Sequence, residues 1–140
     1  MKTFSTFLII FGLLVTKSLA VHYFVYVPEQ QIVDSYGNKV IIQDGYVDWQ
    51  GLPNELAVWL LDENGKWIMP YVFVCQNNKT QEKIELLVKN TDYLHLDICP
   101  GEWTIKTYLA TSQGKKKKEI SSFKWTVEVD RDVLARVYLK

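Results

Sequence analysis

Hydrophobic and polar residues alternate along most of this chain with a period of two. Phe123, Trp125, Val127 and Val129 fall on one face of their segment, and Lys124, Thr126 and Glu128 on the other. Trp103, Ile105, Thr107 and Leu109 alternate with Thr104, Lys106, Tyr108 and Ala110. The same pattern runs through Ile84, Leu86 and Val88, through Leu94, Leu96 and Ile98, and through Val133, Ala135, Val137 and Leu139. Successive side chains of a strand point to opposite faces, so this pattern predicts strands with one face buried. Glu55 to Leu61 (ELAVWLL) and Tyr71 to Cys75 (YVFVC) are apolar on both faces and are expected as central strands. Tyr23 to Val27 (YFVYV) is expected to open the fold, with a short turn of helix conceivable over Val27 to Val33.

The breaks carry turn chemistry. Asp62-Glu63-Asn64-Gly65, between Leu61 and Trp67, is the strongest hairpin signal, because Asn-Gly accepts the positive φ values of a type I′ turn. Gly37-Asn38 and Asp44-Gly45 are similar, Pro100-Gly101 separates Ile98 from Trp103, and Thr111 to Lys118 (TSQGKKKK) reads as a solvated hairpin tip. Short strands with turns every 8–12 residues predict one all-β domain, an antiparallel two-sheet sandwich of immunoglobulin-like or transthyretin-like type, with a small barrel as the alternative.

The first twenty residues change the picture of where such a domain would work. Lys2 precedes the apolar run Phe7 to Val15, and Ser18-Leu19-Ala20 places small residues at −3 and −1 of a signal-peptidase cut. The run is shorter than the roughly 20 residues a spanning helix needs. Residues 1–20 are therefore expected to be a secretory signal peptide and residues 21–140 the domain, in the periplasm or extracellular space, with no transmembrane segment in the mature chain. Loss of Lys2 and Lys17 would leave a formal charge of about −2, which offers no global attraction to nucleic acid.

Two cysteines, Cys75 and Cys99, remain in the mature chain. In an oxidising compartment they are expected to form one disulfide closing a loop of about 25 residues, worth roughly 3–4 kcal/mol on the chain-entropy model. The alternative is a pair of thiols acting as small hydrophobes.

Candidate chemistry is sparse. His22 and His95 are the only imidazoles, too few for a tetrahedral metal site without other donors. No serine stands in a Gly-x-Ser-x-Gly context. Carboxylates such as Asp44, Asp62, Glu102 and Asp130 sit near turns, which favour Asp for backbone reasons of their own. No catalytic residue, cofactor or metal is expected. Aromatics are the richest signal: Trp49 and Trp67 border turns, and Tyr46 and Tyr108 are candidates for half-exposed positions. Such rings either reflect the preference of aromatics for strands, anchor a protein partner, or stack on sugars. Lys115, Lys116, Lys117 and Lys118 form the one concentrated charge, a candidate anion-binding loop for lipid headgroups or a polyanionic glycan. Asn78-Lys79-Thr80 matches an N-glycosylation acceptor in an exposed loop.

Pro100-Gly101-Glu102-Trp103-Thr104-Ile105, followed by a lysine-rich hairpin and the strands Phe123 to Val129 and Val133 to Leu139, resembles the closing strands of carboxypeptidase-regulatory-type and transthyretin-like sandwich modules. That resemblance, over residues 100–139, implies a non-catalytic exported module used for adhesion, assembly or presentation. The expected function is accordingly non-enzymatic binding of a protein partner, by an aromatic patch or by strand addition. The alternatives are a carbohydrate-binding module and a small metal-binding or hydrolytic protein.

Overall fold

The computed structural model describes residues 28–46, 54–91 and 95–140. The segment expected to be a signal peptide, the expected strand Tyr23 to Val27 and Trp49 lie outside these residues. The described chain is all-β, with nine strands: β1 (Glu29–Val33), β2 (Lys39–Tyr46), β3 (Glu55–Leu61), β4 (Tyr71–Asn77), β5 (Lys83–Val88), β6 (His95–Asp97), β7 (Gly101–Ala110), β8 (Lys116–Val127) and β9 (Asp132–Tyr138). They form a five-stranded sheet in the order β1-β2-β9-β3-β6 and a four-stranded sheet in the order β5-β4-β7-β8. Among the described residues no helix is long and apolar enough to cross a membrane.

The two sheets pack face to face over one hydrophobic cluster, the arrangement of a β-sandwich. Val40 and Ile42 of β2, Leu56, Val58 and Leu60 of β3, and Val133, Ala135 and Val137 of β9 meet Tyr71, Phe73 and Cys75 of β4, Trp103 and Ile105 of β7, and Phe123 and Val127 of β8. Every one of these sets is spaced by two or by four, so the alternation seen in the sequence is the inward face of each strand. Tyr71 also ties the sheets by a hydrogen bond, its hydroxyl donating to the Val58 carbonyl oxygen at 2.7 Å. As expected from their double-faced apolarity, β3 and β4 are interior strands.

Four details depart from the sequence reading. The five-stranded sheet is not wholly antiparallel: β9 pairs antiparallel with β2 but parallel with β3, through Leu56↔Val133 to Leu61↔Tyr138. Alternation reports which face a residue occupies, not which strand lies alongside. Residues 29–33 form β1, an edge strand against β2, rather than a turn of helix. Asp44-Gly45 is a β-bulge inside β2, with Gly45 at φ 117°, rather than a turn. The Asp62–Gly65 turn uses a left-handed conformation only at Gly65, so it is not a type I′ turn. The chain makes a single bridge, Leu61↔Trp67, and then crosses to the other sheet.

A buried polar knot joins the sheets beside β1. One oxygen of the Asp34 carboxylate accepts the backbone N–H groups of Tyr36 (2.8 Å) and Asn38 (2.9 Å). Its other oxygen accepts the Asn38 amide (2.9 Å) and the Ser121 hydroxyl of β8 (2.5 Å). Asn38 also donates to the Ile120 carbonyl at 2.7 Å and accepts the Lys140 N–H at 3.1 Å. A bulge in β8, between the pairs Thr107↔Ser121 and Tyr108↔Glu119, leaves both Ile120 and Ser121 buried. Removing a carboxylate that satisfies four donors strands all of them. Asp34→Ala is therefore expected to cost about 3 kcal/mol, read as a lower urea midpoint at unchanged slope. A loss below about 1 kcal/mol would show that the carboxylate does not hold the sheets together.

Candidate functional site

The outer face of the five-stranded sheet carries the strongest aromatic feature among the described residues. Trp59 projects outward from β3, because Leu56, Val58 and Leu60 take the inward positions. Trp67 is brought beside it by the Asp62 turn, whose carboxylate accepts the N–H groups of Asn64 (2.8 Å) and Lys66 (2.9 Å). The Ile68 N–H then donates to the Leu60 carbonyl at 3.0 Å, holding the returning chain against β3. The two indoles sit with centroids 5.0 Å apart and planes inclined at 51°. Both are half-buried, and Ala57 and Leu61 are buried on the same outward side of β3.

Register places Arg136 of β9 beside Trp59 and Tyr138 beside Leu61. The Arg136 guanidinium pairs with the Glu29 carboxylate of β1, and the Lys39 ammonium lies 4.7 Å from the Tyr138 ring centre. At the opposite edge His95 approaches Glu55 at 3.4 Å. Among the described residues no group of three His, Cys, Asp or Glu side chains could hold a metal ion.

The predicted aromatic residues scatter. Trp67 belongs to this patch, and its partner Trp59 was hidden in a segment that reads simply as a central strand. Tyr46 ends β2, paired in register with Asp132. Tyr108 lies on the other sheet altogether. There the outward positions of β4 and β7 hold Val72, Val74 and Ala110, buried under Leu87 and Tyr108. The Lys116 ammonium sits 5.7 Å from the Tyr108 ring centre and 3.1 Å from the Glu85 carboxylate. Glu119 receives the Tyr36 hydroxyl at 2.5 Å and Lys106 at 3.7 Å. Burial, then the hydrogen bond to Glu119, raises the Tyr108 pKa above its ordinary value. The Tyr36 pKa is raised first by its own hydrogen bond to Glu119.

The expected disulfide is not formed. Cys75 is fully buried in the core, whereas Cys99 is an exposed free thiol on the connection between β6 and β7. On the inward side of β4, Asn77 follows Cys75 about 7 Å along the strand. The Asn77 amide, not Cys75, is what reaches the Cys99 sulfur, at 3.9 Å. Trp103 further anchors this connection by donating its indole N–H to the Cys99 carbonyl at 2.9 Å. Sequence spacing carried no information on which side of β4 each sulfur would meet.

Among the described residues, two open grooves mark the surface. One of about 430 Å³ runs beside Trp125, whose indole N–H donates to Asp44 at 3.0 Å. The other, about 420 Å³, lies between Cys99 and the Asn78–Thr80 turn. In that turn the Asn78 side chain donates to Glu102 at 2.9 Å and accepts the Thr104 hydroxyl at 2.8 Å. No family model, curated protein or solved structure matches this chain.

The two thiols should differ sharply. A maleimide probe is expected to modify Cys99 rapidly in the folded protein and Cys75 only after denaturation; equal rates would contradict the burial of Cys75. Burial also pushes the Cys75 thiol from 9.0 up to about 12. The fold favours the neutral thiol, so its contribution is complete below pH 9.0 and is lost as pH rises toward about 12. Cys75→Ala is expected to be less stable at neutral pH but to lose less stability across that alkaline window, as followed by thermal melts.

Proposed function

We propose that this protein is an exported, non-enzymatic β-sandwich, of immunoglobulin-like or transthyretin-like type, that binds a protein partner in the periplasm, envelope or extracellular space. The observation that carries this reading is the Trp59–Trp67 pair. Tryptophan is the residue most enriched at binding hot spots, where a large ring leaves water for a partner pocket. Here two indoles stand together over Ala57 and Leu61, ringed by the Arg136–Glu29 pair and the Lys39–Tyr138 contact. An apolar centre with a polar rim is the anatomy of a protein interface.

The inclination of the rings favours a protein over a sugar. A pyranose stacks on a flat aromatic face, while two planes meeting at 51° form a wedge suited to an inserted side chain. The short signal-like segment at residues 1–20 supports export.

The test is site-specific photocrosslinking in the native host. A photoreactive residue at Trp67 is expected to give a discrete protein adduct, and one at exposed Val129, in the β8–β9 turn, none. Trp59→Ala should weaken capture of that partner roughly thirtyfold or more, the loss typical of a hot-spot residue. Identical adducts from both positions, or capture untouched by Trp59→Ala, would sink the reading. Binding on a glycan array that is lost with Trp59→Ala would replace it with carbohydrate recognition.

A further inference from the structure

The lysine run is not a free hairpin tip. The turn between β7 and β8 curls over the outer face of the four-stranded sheet, where Gly114 sits so close to Leu87 that an added methyl would lie 3.4 Å from its side chain. The Thr111 hydroxyl and carbonyl hold the turn, accepting the N–H groups of Lys115 (3.1 Å) and Gly114 (2.9 Å). A bulge at Lys117, between the pairs Leu109↔Lys118 and Ala110↔Lys116, divides the run. Lys116 is spent on Tyr108 and Glu85, and on the same face Lys106 is paired with Glu119.

With those carboxylates matched, the unpaired charge left on this face is mostly positive, Glu102, whose carboxylate accepts from Asn78, excepted. Lys115, Lys117 and Lys118 are exposed and, among the described residues, make no ion pair. Register adds two more exposed lysines on the same outer face, in one row across the sheet: Lys83 opposite Gln76, then Thr104 opposite Lys124. Lys118, opposite the inward-facing Leu109, leaves β8 on its other side. From Thr104 to Ala110 is about 20 Å along β7, so the ammonium groups of Lys83, Lys115, Lys117 and Lys124 are spread over an area rather than focused on a point. On the opposite sheet Arg136 is paired with Glu29, while Lys39 lies over the neutral Tyr138 ring. A chain whose whole-sequence charge is zero thus gathers a group of exposed, unpaired lysines on this face.

We propose that the outer face of the four-stranded sheet, with its lysine hairpin, docks the protein flat on an anionic phospholipid surface. Charge complementarity over a planar area selects the occupant. Separate headgroups can each meet one lysine across 20 Å, whereas a single small anion would reach only one or two of them. The Trp59–Trp67 wedge lies on the opposite sheet and would face away from the lipid, leaving it open to a partner.

The experiment is co-sedimentation of the purified protein with vesicles of phosphatidylcholine, alone or mixed with phosphatidylglycerol. Binding is expected only to the mixed vesicles and should fall steeply as salt rises toward about 0.5 M. The triple variant Lys115→Gln, Lys117→Gln, Lys124→Gln should weaken partition about a hundredfold, at about 1 kcal/mol per lysine. Lys66→Gln, in the turn of the other sheet, should change nothing. Circular dichroism and an unshifted melting temperature would establish that the triple variant is folded. No binding to anionic vesicles at low salt, or binding that the triple variant retains, would overturn the proposal. Displacement from the vesicles by heparin at sub-stoichiometric amounts would overturn it in favour of a polyanionic glycan.

Discussion

The carboxylate of Asp34 is where the two sheets are set in register with each other. Apolar packing between sheets is non-directional and tolerates sliding, whereas a carboxylate with four donors tolerates one arrangement. Asp34 holds the β1–β2 turn through two backbone N–H groups and reaches the other sheet through Ser121. Asn38 extends the same knot to the Ile120 carbonyl and to the chain leaving β9. Three elements distant in sequence meet there, and the β8 bulge that delivers Ser121 also turns Glu119 outward to Lys106 and Tyr36. The charge layout of the four-stranded sheet thus follows from a polar contact in the interior.

Much of the layering was legible in the sequence, because alternation is a direct reading of sheet faces. Trp103, Ile105 and Thr107, and likewise Val133, Ala135 and Val137, are buried where the period of two puts them. Pairing was not legible. Whether β9 lies beside β8 or between β2 and β3 depends on contacts far apart in sequence, and face alternation is the same in either case. The cysteines failed for a related reason: spacing limits loop length but says nothing about which side of β4 the thiol occupies. Trp59 was obscured because ELAVWLL is apolar throughout, so its outward ring could not be told from a core ring until Leu56, Val58 and Leu60 were seen to fill the interior. The lysine run disclosed its charge but not the bulge that assigns Lys116 to Glu85 and leaves its neighbours exposed.

The two outer faces differ in kind. The five-stranded sheet presents a tilted indole pair over buried Ala57 and Leu61, beside the Arg136–Glu29 ion pair. The four-stranded sheet buries a small apolar patch under Leu87 and Tyr108 and surrounds it with lysines. Apolar surface confers affinity that salt barely alters, while dispersed charge confers attraction that salt removes. A sandwich of this size therefore carries two surfaces that respond to different conditions.

The position of β9 has a consequence for how the chain reaches this structure. Residues 132–138 are synthesised after both strands they join, so among the described strands the halves β1-β2 and β3-β6 are not paired until β9 enters between them. Until then β2 and β3 each expose a full edge of unpaired N–H and C=O groups, a template for pairing with other chains. The parallel closure onto β3 is moreover a long-range contact, which folds slowly. The interval before insertion is thus the most aggregation-prone stage in the life of the molecule.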